Sequence, residues 1–200
     1  MRDRDRRHIY AVSDILRTTL EAIRQVADAH MRAQVAREES WVALTSPSDL
    51  DGTANPFARD KVVMSVHNLT QETSVSTFSA SVPGKTDDWA RAPMPLYLNV
   101  HLMFAANFTP DRYADGLAAL SRLIGFFQQH PCFTRDTMPG LDPQIDTIML
   151  EFENLATADL HATTSLLGIR YQPSVFYKLR MLPFAAAPIQ AAIPSTYPGS

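Results

Sequence analysis

The strongest constraint on the fold is an alternating segment near the middle of the chain. One face of this segment carries five apolar side chains, which are Leu96, Leu98, Val100, Leu102 and Phe104. The alternate positions hold Tyr97, Asn99, His101 and Met103. Successive side chains of a strand point to opposite faces of a sheet, so the pattern predicts a strand with one apolar face. That face needs a covering layer.

Two segments with helical spacing are suited to cover it. The first has an apolar face formed by Ile9, Val12, Leu16, Leu20, Ile23, Ala27 and His30, with Arg17, Glu21, Arg24 and Asp28 between them. The second begins near Thr109, which is a capping residue, followed by Pro110 and Asp111. Pro110 favours a helix start because it lacks the N–H that would be unpaired there, and Asp111 favours it because its negative charge interacts well with the helix dipole. Its apolar face is formed by Tyr113, Leu117, Leu120, Ile124 and Phe127, and Pro131 ends it.

The remaining segments complete a mixed pattern of strands and helices. Alternation predicts strands at 62–67, at 145–152 and at 174–182, and a short helix is predicted from Thr157 to Gly168. Residues 71–92 are predicted to form a weak strand followed by a loop, and 41–57 a long surface loop. The order favours an α+β fold, an α/β sandwich with a mixed sheet of about four to five strands and helices packed on it.

Length and composition indicate one domain with short extensions. The chain has 200 residues, 46% of them hydrophobic, which is enough to bury a core without disulfides. Residues 1–8 form a charged N-terminal segment, 9–182 the predicted domain, and 183–200 an extended tail that contains four prolines. The N-terminal run is charged instead of apolar, so we expect cytoplasmic synthesis without a signal peptide.

Charge and hydropathy argue against two classes of partner. The net charge of -3 offers no strongly positive field for a nucleic-acid backbone. The best apolar run, 94–108, is shorter than the roughly 20 residues that a helix needs to span a membrane. We therefore expect neither nucleic-acid binding nor membrane insertion.

Motifs for catalysis are weak. The six histidines are scattered singly, so no metal or cofactor residue is predicted, and Cys132 beside Phe133 is interpreted as a small buried hydrophobe. Glu151 and Glu153 share one face of a predicted strand and are the only pair that resembles an acid/base couple. A solvated strand face explains them more simply, but a small hydrolase or metal-dependent enzyme that uses both carboxylates remains the alternative from another class.

Four blocks in series carry a family resemblance. They are residues 9–16 (IYAVSDIL), 94–106 (MPLYLNVHLMFAA), 117–131 ending in QQHP, and 171–182 (YQPSVFYKLRML). Together they resemble the cap, or tube-terminator, proteins of extracellular contractile injection systems, such as antifeeding prophages and Photorhabdus virulence cassettes. The resemblance covers about residues 9–182 and implies a fold related to phage tail terminators.

The resemblance implies a structural role with no catalytic residues. It implies a ring, expected to be a hexamer, that closes the end of the inner tube, contacts the last sheath layer and forms part of a phage-tail-like particle. A phage tail-completion factor with the same ring is the nearest alternative. The segments 41–57 and 71–92 are candidates for a ring surface, and the tail from Pro183 for docking on sheath. The interface residues that we single out are Tyr171, Tyr177, Lys178, Arg180, Pro183 and Phe184.

Overall fold

The computed structural model describes residues 14–49, 51–73, 96–143, 145–166 and 171–184. Its helices are α1 (Ile15–Gln34), α2 (Tyr113–Gln129) and α3 (Thr157–Leu166). The strands are β1 (Val42–Leu44), β2 (Lys61–Gln71), β3 (Leu96–Asn107), β4 (Cys132–Thr134), β5 (Thr147–Glu153) and β6 (Ser174–Phe184). Predictions made for 1–13, 74–95 and 185–200, and for the end of the short helix at Gly168, lie outside the described residues.

The strands form one mixed sheet in the order β1-β2-β3-β6-β5-β4. The pair β1 and β2 is parallel, and the other neighbouring strands are antiparallel. The long strands β3 and β6 lie at the centre, as expected for the alternating segments that define them. The α+β prediction is confirmed, and the sheet has six strands instead of four to five because two three-residue strands extend its edges.

The two faces of the sheet are covered differently. On the inner face, α2 packs over β3 while α1 packs against β1 and α2, and Leu102 and Phe104 are fully buried in the shared core. The outer face has a smaller apolar cluster of Met103, Ala105 and Phe176, against which Leu155 and Leu160 pack. Much of the outer face is therefore left to polar side chains. Among the described residues, no helix is long and apolar enough to cross a membrane.

Two β-bulges change which residues share a face. In β2, His67 is the extra residue between Val66 and Asn68, which pair with consecutive residues of β3. In β6, the register shifts between the pairs Val100–Leu179 and Leu98–Leu182. A bulge reverses the alternation beyond it. Uninterrupted alternation over the predicted strand 174–182 would put Leu182 on the face opposite to Leu179, but both belong to the inner core. The strand also continues to Phe184.

The predicted loop 41–57 is only partly a loop. Its first residues form β1, and Trp41 and Val42 are buried in the core. Asp28, which the helical pattern placed between the apolar positions, is also buried and accepts hydrogen bonds from the backbone N–H groups of Trp41 (2.5 Å) and Val42 (3.1 Å). A charged residue on a helix is normally read as exposed, but Asp28 is buried because its carboxylate holds the start of β1 in place.

The buried face of α2 is rotated from the predicted one. Its buried residues are Gly116, Ala119, Leu120, Leu123, Phe126 and Phe127, whereas Tyr113 and Leu117 are exposed. Gly116 explains the rotation, since the absence of a side chain lets α2 approach Phe108 and Ala106 closely. Cys132 is exposed at the edge strand β4, and Phe133 takes the buried position instead. The buried-cysteine interpretation is therefore wrong.

The close approach at Gly116 predicts opposite effects for two alanine substitutions in α2. A Cβ at Gly116 would lie 3.0 Å from Cδ2 of Phe108 and 3.3 Å from Cβ of Ala106, whereas a Cβ at Gly125 meets nothing within 4 Å. We expect Gly125→Ala to raise the free energy of unfolding by about 0.5–1 kcal/mol through helix propensity. Gly116→Ala should be less stable than Gly125→Ala by at least about 1 kcal/mol, because Phe108 must move. Equal unfolding midpoints in urea would contradict this account.

Candidate functional site

The candidate site is the polar part of the outer face, where β5 and β6 bring together four charged residues singled out in the sequence. Glu151 lies opposite Lys178 in the ladder between these strands. Arg180 donates to Glu151 at 3.1 Å, and the Nζ of Lys178 lies 3.6 Å from the same carboxylate. Glu153 follows on the same face. The predicted carboxylate pair therefore does share a face.

Arg180 also links the far end of β2 to this group. Its guanidinium lies 3.1 Å from the carboxylate of Glu72, whose side chain is almost completely buried. The two carboxylates raise the pKa of Arg180, through hydrogen bonds to Glu151 and Glu72, so the guanidinium stays cationic. The sequence offered no signal for Glu72, since it is 108 residues away from Arg180 along the chain.

A second group on the outer face contains two histidines. The carboxylate of Glu153 lies 2.9 Å from Nδ1 of His101, and the hydroxyl of Thr70 lies 2.8 Å from Nε2 of the same ring. The ring of His67 packs edge-on against His101, with centroids 5.8 Å apart, and against Phe176 at 5.3 Å. His67, His101 and Glu153 each offer one ligand atom, and these atoms lie within 4.8 Å of one another. We call these three residues the histidine cluster.

The bulge in β2 positions this cluster. As the extra residue, His67 points to the outer face beside His101 of β3, while Glu153 reaches His101 from β5 across the intervening β6. Burial lowers the pKa of His67, and the neighbouring His101 lowers it further, so His67 is neutral near pH 7. His67 and His101 are scattered singly in the sequence but adjacent in the structure, because sequence spacing does not reveal pairing between strands.

The carboxylates give the hydrolase alternative no support. Glu151 is engaged by Lys178 and Arg180, and Glu153 is engaged by His101. An acid/base couple needs its two carboxyl groups directed at a shared substrate position. In the described structure, each carboxylate faces a cationic or imidazole partner instead.

The other predicted interface residues occupy different environments. Tyr171 is 73% exposed just before β6. Pro183 and Phe184 are half-buried at the end of β6, where they pair with Tyr97 and Leu96. They belong to the sheet and not to the tail that the sequence predicted. Tyr177 is 3% exposed and lies in the inner core, so its side chain supports the sheet and offers no surface to a partner.

An arginine-rich surface, whose lining also includes Glu39, Asp60 and Asp115, lies near the opposite edge of the sheet, beside β1 and the start of β2. Two adjoining cavities of about 400 and 560 Å³ share Arg37 and Arg112. We call this surface the arginine groove, and its cations are Arg37, Arg59, Lys61, Arg112 and Arg122. Phe57 at its rim is 76% exposed. The groove has no sequence motif, because its cations come from four separate segments.

The fold matches known structures at low sequence identity. The chain is similar to the sheath/tube terminator of PVC, an extracellular contractile injection system in its extended state, with a TM-score of 0.51 and 15% identity over 90% of this chain and 61% of that chain. It is also similar to the tube-terminating cap of the anti-feeding prophage, with a TM-score of 0.50 and 13% identity over 84% of this chain and 54% of that chain. The chain thus spans between half and two thirds of these proteins' length.

The sequence itself matches a known family. No curated protein sequence matches the chain significantly. The family model described as the Pvc16 N-terminal domain matches residues 11–196, which is nearly the whole chain. With this match and the shared terminator fold, the expected resemblance is confirmed, and the chain belongs to the Pvc16 N-terminal domain family.

Proposed function

We propose that this chain is a structural, non-enzymatic cap of a contractile injection system. In this role it forms a ring, expected to be a hexamer, that ends the inner tube and contacts the last sheath layer of an assembled phage-tail-like particle. The observation that carries the proposal is the family match over residues 11–196, together with the fold shared with a sheath/tube terminator.

The two edges of the sheet supply surfaces suited to a ring. A head-to-tail ring needs two different, complementary surfaces on each subunit. The arginine groove lies by β1, whereas the exposed Met149 and Phe152 lie on β5, next to the opposite edge strand β4. Six strands place the two edges about 24 Å apart. We propose that the arginine groove of one subunit contacts the β5 side of the neighbouring subunit.

We propose that the sheath-contacting residues lie along β6, from Tyr171 just before the strand to Phe184 at its end. Tyr171 is exposed, Lys178 and Arg180 lie on the outer face, and Pro183 and Phe184 end the strand from which residues 185–200 continue. An extended segment can bind by adding backbone to a strand edge of a partner, without needing a pocket. We therefore propose that the residues after Phe184 dock onto sheath.

Mass photometry and electron microscopy of the purified chain, alone and with tube protein, test the proposal. We expect rings with the mass of six subunits, seated on tube ends. Arg59→Glu combined with Phe57→Asp should abolish rings by placing negative charge in the proposed interface. Arg17→Glu is the matched control, because both arginine side chains are 74% exposed, and it should assemble normally.

A variant that ends at Phe184 separates the tube role from the sheath role. It retains all of β6, so it should still form rings on tubes but no longer retain sheath protein in a pull-down. A full-length chain that stays monomeric and ignores tube ends would contradict the cap function. A truncated variant that holds sheath as well as the full chain would contradict the role of the tail alone.

A further inference from the structure

We propose that His67, His101 and Glu153 form a binding site for a divalent transition-metal ion of the zinc type on the outer face of the sheet. Two imidazoles and one carboxylate are a ligand set that Zn²⁺ uses in proteins, with a fourth position left for water or another donor. The three side chains come from β2, β3 and β5. The proposal goes beyond the cap function and does not depend on it.

The geometry requires only small adjustments. Zinc–ligand bonds of about 2.0–2.2 Å in a tetrahedral arrangement put ligand atoms about 3.4 Å apart. In the structure, the three ligand atoms lie within 4.8 Å of one another, so rotations about the side-chain bonds bring them to bonding distance. The backbones that carry them belong to one paired sheet, which holds the site in place.

His67 supplies the observation that points to a ligand. Its Nε2 atom is buried and makes no hydrogen bond within the described part of the chain. Burying a polar atom without a partner is unfavourable. A metal ion between His67 and His101 would satisfy this nitrogen.

His101 is oriented as a ligand with a supporting hydrogen bond. With Glu153 at Nδ1, the neutral ring carries its proton there, and Nε2 accepts from the hydroxyl of Thr70. A metal ion would replace the proton on Nδ1. The ring would then carry its proton on Nε2 and donate it to Thr70, a support that most metal-bound histidines receive.

A plain histidine–carboxylate ion pair is the competing explanation of the cluster. It accounts for the contact between His101 and Glu153 but not for the second imidazole, which the bulge directs into the same space. A metal ion accounts for all three side chains. We expect the bound ion to stabilise the sheet by linking β2, β3 and β5. Of these three strands, β2 lies nearest to the arginine groove.

Zinc titration of the metal-free full chain, in competition with a chromophoric chelator, tests the site. We expect one tight site per chain, weakened at least about 100-fold in His67→Ala, His101→Ala and Glu153→Gln. Thr70→Val should weaken it by about 10–100-fold, as removal of an outer hydrogen bond does. His161→Ala is the control, because His161 is exposed on α3, and it should bind like the unaltered chain.

Two measurements keep the outcome interpretable. Circular dichroism verifies that each variant is folded, and Glu153→Gln retains the shape and a hydrogen-bond acceptor for His101. Absorption bands of Co²⁺ bound in place of zinc should show four-coordinate geometry and should be lost in a folded His67→Ala variant. Equal zinc affinity in the unaltered chain and in folded Glu153→Gln and His67→Ala variants would overturn the site, whatever the assembly experiments show.

Discussion

Tyr177→Ala is expected to lower the free energy of unfolding by about 3–5 kcal/mol, the range for truncating a buried aromatic side chain. The Tyr177 ring is enclosed by aromatic neighbours, with centroids 5.0 Å from Phe127, 5.5 Å from Phe152 and 5.8 Å from Phe104. Its removal leaves a cavity between β6 and α2. By contrast, Tyr171→Ala should change the free energy of unfolding by less than about 0.5 kcal/mol, because Tyr171 is exposed.

Urea unfolding monitored by circular dichroism distinguishes these two tyrosines. Tyr177→Phe is the conservative control, since it retains the ring and removes only the hydroxyl. Burial raises the pKa of Tyr177 to about 12, so the hydroxyl is neutral under all ordinary conditions. Two results together would refute the placement of Tyr177 in the core. They are a free energy of unfolding of Tyr177→Ala within about 1 kcal/mol of that of the unaltered chain, and failure of this variant to form rings. Tyr177 would then belong to the interface.

The elements that the sequence predicted well are those whose pattern reflects local geometry. The alternation around Leu102 and Phe104 yields the central strand, and the periodic face with Leu20 and Ile23 yields α1. These patterns arise because one face of each element is buried in the same hydrophobic core. The helix face of α2 was misplaced because Gly116 carries no apolar side chain, although it marks the closest approach to the sheet.

The bulges and the short edge strands were not predictable in the same way. A bulge depends on pairing with a distant strand, so nothing around His67 or Leu182 shows where the alternation reverses. The strand β1 has three residues and no alternation long enough to detect. It forms because Trp41 and Val42 are held by Asp28 and buried against α1.

The sequence likewise predicts some residues of the candidate site and not others. The shared face of Glu151 and Glu153 follows from their spacing, and the structure places Lys178 and Arg180 beside them. The histidine cluster did not follow from spacing, because it joins three strands that are distant in the sequence. The cap interpretation came from the family resemblance of four blocks in series, since the isolated motifs carry no such information.

Asp28→Ala should destabilise the chain by about 2–4 kcal/mol, which is a large effect for removing one acidic side chain. One carboxylate oxygen accepts from two backbone N–H groups at the start of β1, and the other lies 2.9 Å from Nε of Arg32. Each buried donor that loses its acceptor costs about 1–3 kcal/mol. The ion pair adds little, because the side chain of Arg32 is half exposed.

Two companion variants assign the loss to the backbone hydrogen bonds. Asp28→Asn keeps an oxygen acceptor without the charge, so it should retain more than half of the lost stability. Glu21→Ala removes an acid of the same helix that pairs with Arg24 on the surface, and we expect a change of at most about 0.5 kcal/mol. In Asp28→Ala, hydrogen exchange at the amides of Trp41 and Val42 should accelerate more than exchange in β3. If Asp28→Ala and Glu21→Ala lose equal stability, the carboxylate does not anchor β1, and the edge of the sheet beside the arginine groove must be held by apolar packing of Trp41 and Val42 alone.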